Sequence, residues 1–225
     1  DRAGDLNFRS SAFSGGLNYA FSFNRYKMHW LSFGLRAGVL QQALDFSGVN
    51  DEFDPGDPNF GQGGTSELSF DVGAGLLWYL EATEKIKMYA GFSADHIGRP
   101  TIDLAVVGGA DEELEVRFTS LAGFDFRLTD KFSILPSVLS VYQQPHNQLQ
   151  FGSYFKVDLG GSYQNSDVAL LLGSWYRMLL FSQSDNRLDA LLFSVRLDYK
   201  NLSTSLSYDV NVSDLIEASN SYGGI

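Results

Sequence analysis

Residues Glu113 to Leu128 read ELEVRFTSLAGFDFRL, and their alternation decides the fold. Even positions hold Leu114, Val116, Phe118, Ser120, Ala122, Phe124, Phe126 and Leu128. Odd positions include Glu113, Glu115, Arg117, Thr119, Gly123, Asp125 and Arg127. A two-residue period places the two sets on opposite faces of one extended strand. The stretch is far longer than the roughly 5 to 6 residues of a usual globular strand. A wall that crosses about 25 Å of hydrocarbon needs roughly 9 to 11 tilted residues per strand, apolar outward and polar inward. The stretch therefore predicts one strand over Glu113–Leu128, with an oily face toward lipid if its neighbours follow the same rule.

The neighbours repeat the pattern. Phe13, Leu17, Tyr19, Phe21 and Phe23 alternate with small and polar residues, and Leu31 to Val39 opposes Ser32, Gly34, Arg36 and Gly38. Leu68 to Trp78 opposes Ser69, Asp71, Gly73 and Gly75, and Ile86 to Ala94 opposes Lys87, Tyr89, Gly91 and Asp95. Further strands are expected at Phe132–Tyr142, Leu149–Leu159, Val168–Met178, Leu191–Tyr199 and Leu202–Val210, giving about ten. Pro136 removes a ladder donor and predicts a bulge or local break. Short connections near Tyr26, Thr83, Asp130, Ser166 and Lys200 alternate with longer ones near Asp54, Gly108, Pro145, Ser184 and Leu215, Gln143–Asn147 being a medium loop. One rim is short and the other long, as in an antiparallel meander closed into an outer-membrane barrel. Glycines concentrate on the polar face, where they let strands bend and leave room for longer neighbours.

Composition narrows the alternatives. A chain of 225 residues fits one β domain, residues 1–225. A net charge of −11 and a pI near 4.6 argue against nucleic acid as a partner, because phosphates would be repelled. There is no cysteine, hence no disulfide framework or thiolate ligand. No window of 18 or more continuous apolar residues exists, which argues against a transmembrane helix. Asp1 opens without a basic n-region or apolar signal segment, so the chain is expected to start after processing or to be an internal piece.

The polar face collects Arg36, Asp71, Lys87, Asp95, Arg117, Asp125, Arg127, Lys156, Asp158, Arg196 and Asp198. A soluble sandwich, lipocalin-like barrel or adhesin module would bury apolar side chains inward. Burying this many ions instead would be costly unless they were paired or wet. A polar lumen accommodates them, and these eleven residues are the expected lumen-facing set. They would line a wet, selective channel or a salt-bridged interior that stiffens a docking platform. The fold class is therefore all-β: an antiparallel, up-and-down transmembrane β-barrel.

Catalytic and metal sets are weak. His29, His96 and His146 are scattered, and adjacent Asp95 and His96 would face opposite ways on a continuing strand, so no Ser/His/acid set is assigned. The loop Asp51, Glu52, Asp54, Pro55, Gly56, Asp57, Pro58 clusters hard oxygen ligands but lacks EF-hand spacing, and a solvated acidic loop is favoured over calcium binding. Gly61 to Gly64 has no following Lys-Ser/Thr, so it is not a phosphate loop. No cofactor or metal is expected. Trp30, Trp78, Tyr79, Trp175, Tyr176, Tyr199 and Tyr208 are candidates for interfacial girdles, with core packing as the alternative.

Several stretches in order carry a family resemblance. They are Asp1–Gly4, Leu31–Gly38 (LSFGLRAG), Gly91–Pro100 (GFSADHIGRP), Leu128–Val138 (LTDKFSILPSV), Gln148–Val157, Leu172–Arg177 (LGSWYR) and Leu206–Gly224 (LSYDVNVSDLIEASNSYGG). Together they make the chain similar to the PorP/SprF family of outer-membrane proteins of the type IX secretion and gliding motility machinery. The resemblance implies about 14 strands in a full protein, with N-terminal strands and the last strand missing here. It also implies a non-enzymatic component of protein secretion in a gram-negative outer membrane, in contact with outer-membrane lipid. Its expected partners are the secretion machinery and a large secreted cell-surface protein or adhesin that it docks or anchors. A passive outer-membrane porin or solute channel is the second reading.

Overall fold

A computed structural model of the chain describes residues 2–3, 8–24, 28–44, 65–102, 112–160, 167–180 and 187–212. Every regular element among them is a strand: β1 (Arg2–Ala3), β2 (Phe8–Ser22), β3 (His29–Leu44), β4 (Thr65–Thr83), β5 (Ile86–Asp95), β6 (Thr101–Ile102) and β7 (Glu112–Glu113), followed by β8 (Arg117–Arg127), β9 (Phe132–Gln143), β10 (His146–Asp158), β11 (Val168–Leu179), β12 (Arg187–Tyr199) and β13 (Leu202–Asn211). The sheet order is β1-β2-β3-β4-β5-β8-β9-β10-β11-β12-β13, with β6 and β7 paired apart. Over the described residues the chain is thus an all-β, up-and-down antiparallel meander of ten long strands. No helix among the described residues is long and apolar enough to cross a membrane.

The chain divides into two compact units. One holds Asp1–Tyr19, Phe33–Gly75 and Ala94–Arg117; the other holds Ala20–Ser32, Leu76–Ser93 and Phe118–Ile225. In the second unit β9 to β13 pair in continuous register. Tight links join neighbours: Glu84 and Lys85 between β4 and β5, and Lys200 and Asn201 between β12 and β13. Lys200 takes a φ of 52°, the left-handed conformation that two-residue hairpin turns demand.

Exposure follows sequence parity, in the opposite sense to a soluble protein. Among the described residues thirty-six large apolar side chains are exposed, including Phe13 at 80%, Leu17 at 83% and Phe70 at 81%, while the buried apolar residues are Ala169, Leu171, Trp175 and Ala190. In water each such Phe or Leu would forgo roughly 1.5 to 3 kcal/mol of burial, and so large an apolar surface would aggregate. In β8, Phe118, Phe124 and Phe126 are exposed, whereas Arg117, Asp125 and Arg127 are half-buried and Gly123 is buried. Asp71 and Asp158 are buried, at 6% and 3% exposure.

The opening stretch is shorter than its alternation predicts. Ladder pairing starts at Arg117, not Glu113, and Leu128 lies outside β8. Glu113 pairs with Thr101 in the β6–β7 hairpin, and the Leu114 N–H donates to the Pro100 carbonyl at 3.0 Å. Arg99 reaches Glu115 at 3.3 Å and Glu113 at 3.8 Å. Periodicity cannot register this competition, because the competing partners lie in the preceding connection.

One other local expectation is adjusted, and the one at Pro136 is met as a local break rather than a bulge. The medium loop expected at Gln143–Asn147 is only Gln144 and Pro145, whose peptide bond is cis, so the longer rim has one tight link. At Pro136 the strand runs on without a bulge. Pairs run from Phe118–Tyr142 to Gly123–Ser137 and resume at Phe126–Ile134 in the same register, so the ladder to β8 lapses opposite the proline. Proline has no N–H to donate there. The bulge lies instead on β12, where Arg177 pairs with Ala190 and Met178 with Leu188, leaving Asp189 as the extra residue.

Candidate functional site

The chemistry-bearing side chains lie on the polar face, and most are in ion pairs. In the first unit Arg36 on β3 donates to Asp71 Oδ2 on β4 at 3.0 Å and to Asp95 Oδ1 at the end of β5 at 2.9 Å. Arg117 donates to Asp95 Oδ2 at 3.3 Å. His96 Nδ1 sits 2.9 Å from Asp71 Oδ1. Asp95 and His96 were expected on opposite faces, but β5 stops at Asp95 and His96 adopts a φ of 59°. That conformation brings both into one cluster.

The same connection is fastened to β4 twice more, by Ile97 N–H to the Val72 carbonyl at 3.0 Å and by the Ser69 hydroxyl to the Thr101 carbonyl at 2.6 Å. An Asp–His pair orients an imidazole as hydrolases do, but the Ser69 hydroxyl is donated to a carbonyl.

In the second unit Arg177 on β11 donates to Asp189 Oδ2 at 2.6 Å and to Asp209 Oδ2 on β13 at 2.7 Å. The bulge supplies the extra residue that makes Asp189 available to it. Toward the tight links, Lys156 meets Asp158 at 3.2 Å, and Arg196 meets Asp198 at 2.7 Å and the Ser203 hydroxyl at 3.2 Å. Arg127 reaches Asp130 at 2.6 Å and Lys87 approaches Glu81 at 3.8 Å. Asp125 is half-buried. Ten of the eleven expected residues thus lie in separate clusters within their units.

Small residues on the polar face explain how distant strands meet. Arg36 reaches Asp95 over Gly73 on the intervening β4, where a Cβ would lie 2.7 Å from Asp95 Oδ1 and 3.5 Å from Arg36 Nε. Trp175, Gly152 and Ser137 form one cross-strand row, and the Trp175 Nε1–H crosses the glycine to the Ser137 hydroxyl at 3.2 Å. Tyr154, Gly173 and Ser194 form another, with the two hydroxyls 3.0 Å apart. Arg177 crosses beside Ala190, which is buried. The Trp175 and Tyr154 rings meet edge to face at 4.5 Å and fill the space that a Cβ at Gly173 would need. Each bond links strand n to strand n+2.

A membrane wall with this polarity agrees with the comparison by sequence. The family described as Type IX secretion system membrane protein PorP/SprF matches residues 1–223. The chain belongs to the PorP/SprF family. No curated protein and no solved structure matches it. As a PorP/SprF protein it is a membrane component of type IX secretion.

Alternation in this PorP/SprF chain found the charged residues but missed the bridging set: Tyr154, Trp175, Arg177, Asp189 and Asp209. The signal for Trp175 was its place on the polar parity beside Gly173. Trp175 is buried on the polar face, while Trp30, Tyr176, Tyr199 and Tyr208 are exposed as girdle residues would be. The acidic loop 51–57 and Gly61–Gly64 lie outside the described residues.

Proposed function

We propose that this PorP/SprF chain is a non-enzymatic outer-membrane barrel whose stiff wall docks or anchors a large secreted surface protein for the type IX machinery. Arg36, Asp71, Lys87, Asp95, Arg117, Asp125, Arg127, Lys156, Asp158, Arg196 and Asp198 face its lumen in this reading. The observation that carries it is the pairing of charges across strands on the polar face, opposite an exposed apolar face. Paired charges contribute rigidity and leave little net field to select ions. Copurification tests it: mild extraction of the membrane-embedded chain is expected to recover a large surface protein or periplasmic machinery. Recovery of the barrel alone, under conditions that keep other outer-membrane assemblies intact, would sink it.

The passive-channel reading makes the contrary prediction. With its charges paired, the protein is expected to give no ion-selective conductance steps in planar bilayers. Discrete steps with a shifted reversal potential in a salt gradient would favour a porin. The connections support a docking role at one rim. Links 45–64, 96–116, 144–145 and 180–186 together carry eleven acidic residues against Arg99 alone. The alternate links 23–28, 84–85, 128–131, 159–167 and 200–201 carry three acidic residues against five basic ones.

A further inference from the structure

We propose that the tight-link rim of the second unit seats anionic phospholipid headgroups through Lys85, Lys131 and Lys200. The inference rests on the membrane-spanning reading and adds a lipid class to it. Almost every cation of the polar face named above has a carboxylate within ion-pair distance, so those charges are already spent on the wall. Lys85, Lys131 and Lys200 are exposed and make no ion pair among the described residues. All three stand on tight links of the same rim, between β4 and β5, β8 and β9, and β12 and β13. Of the acids on those links, Asp130 is held by Arg127 at 2.6 Å, which leaves Lys131 as the free charge of its turn. Glu84 remains exposed, as does Asp167 on the neighbouring link 159–167.

Aromatic residues toward the same strand ends are of the kind that settle at headgroup depth. Tyr199 is half-exposed, and the left-handed Lys200 places its ammonium 5.5 Å from the Tyr199 ring centre. Trp30 is exposed and meets Tyr79 edge to face at 5.8 Å. Amphipathic rings favour the interface, and a lysine near an anionic lipid surface gains binding free energy from it. The combination fits a lipid phosphate with a net negative headgroup. The opposite set of links, with its eleven acidic residues, would repel the same headgroup.

Tryptophan quenching by lipids with brominated chains tests this with the full chain refolded in vesicles. Brominated phosphatidylglycerol is expected to outcompete brominated phosphatidylcholine for the wall near Trp30 by about fivefold at low salt, the factor one such cation supplies. The combined variant Lys85→Gln, Lys131→Gln, Lys200→Gln should lower the ratio at least twofold, Arg25 and Lys27 being unchanged, and the matching triple arginine variant should keep it. Equal quenching by both lipids in the unaltered protein would overturn the proposal while leaving the membrane-spanning reading intact. A glutamine variant that retains the preference would overturn it too. Quenching by neither lipid would remove both.

Discussion

Trp175→Ala is expected to destabilise the folded protein by about 3 to 5 kcal/mol, the loss usual for a large buried aromatic. Trp175 is 9% exposed, and its ring packs edge to face on Tyr154 and donates to Ser137, so its removal opens a cavity and orphans a hydroxyl. Gly173→Ala should cost about 1 to 3 kcal/mol by overpacking, since its new methyl would collide with the Trp175 and Tyr154 rings. The double variant separates this interlock from two independent defects. With the indole gone much of the collision disappears, so the combined loss should fall short of the sum by about 1 to 2 kcal/mol. Urea unfolding in lipid vesicles, followed by the heat-dependent gel shift of β-sheet membrane proteins, measures all three. Strict additivity would mean that the ring and the glycine do not share that space.

Arg36→Met is the second large effect. Arg36 is the hub between Asp71, whose side chain is 8% exposed, and Asp95 at 17%. Removing one partner of a sheltered ion pair costs about 3 to 5 kcal/mol, and an arginine side chain that is itself 34% exposed argues for the lower end. Adding Asp71→Asn should recover part of the loss by removing the orphaned charge, although His96 would then lose its carboxylate. A loss below about 1 kcal/mol would place the cluster among solvated surface pairs, whose worth is of that order. Hydrogen exchange adds a local readout. The Ile97 amide, bonded to the Val72 carbonyl, should exchange faster in Arg36→Met because the connection loses the wall it is fastened to.

What the sequence revealed and what it hid follow from the range of each interaction. Parity is a property of one strand, so Phe118, Phe124 and Phe126 could be placed opposite Arg117, Asp125 and Arg127 without knowing any partner. The tight links at Glu84–Lys85 and Lys200–Asn201 are local as well. Where the reading fell short, a second segment decided the outcome. Arg99 and Pro100 take Glu113 to Val116 away from the ladder, and the turn at Gln144–Pro145 is tighter than its polar composition suggests. Asp189 serves Arg177 only because the register between β11 and β12 slips by one residue. The candidate site was half legible for the same reason: the residue types were visible, but pairs such as Arg36 with Asp95 depend on strands two places apart.

Those bonds between strands two places apart constrain how the wall assembles. A hairpin contains only neighbours, so neither β9 with β10 nor β10 with β11 alone can make the Trp175–Ser137 bond; a third strand must arrive first. The same holds for Tyr154 with Ser194, Arg177 with Asp209 and Arg36 with Asp95. Because side chains alternate faces, a strand that docks one residue out of step turns its bridging group to the wrong side. Each bond therefore works as a proofreading contact, formed only when three consecutive strands have all found their places.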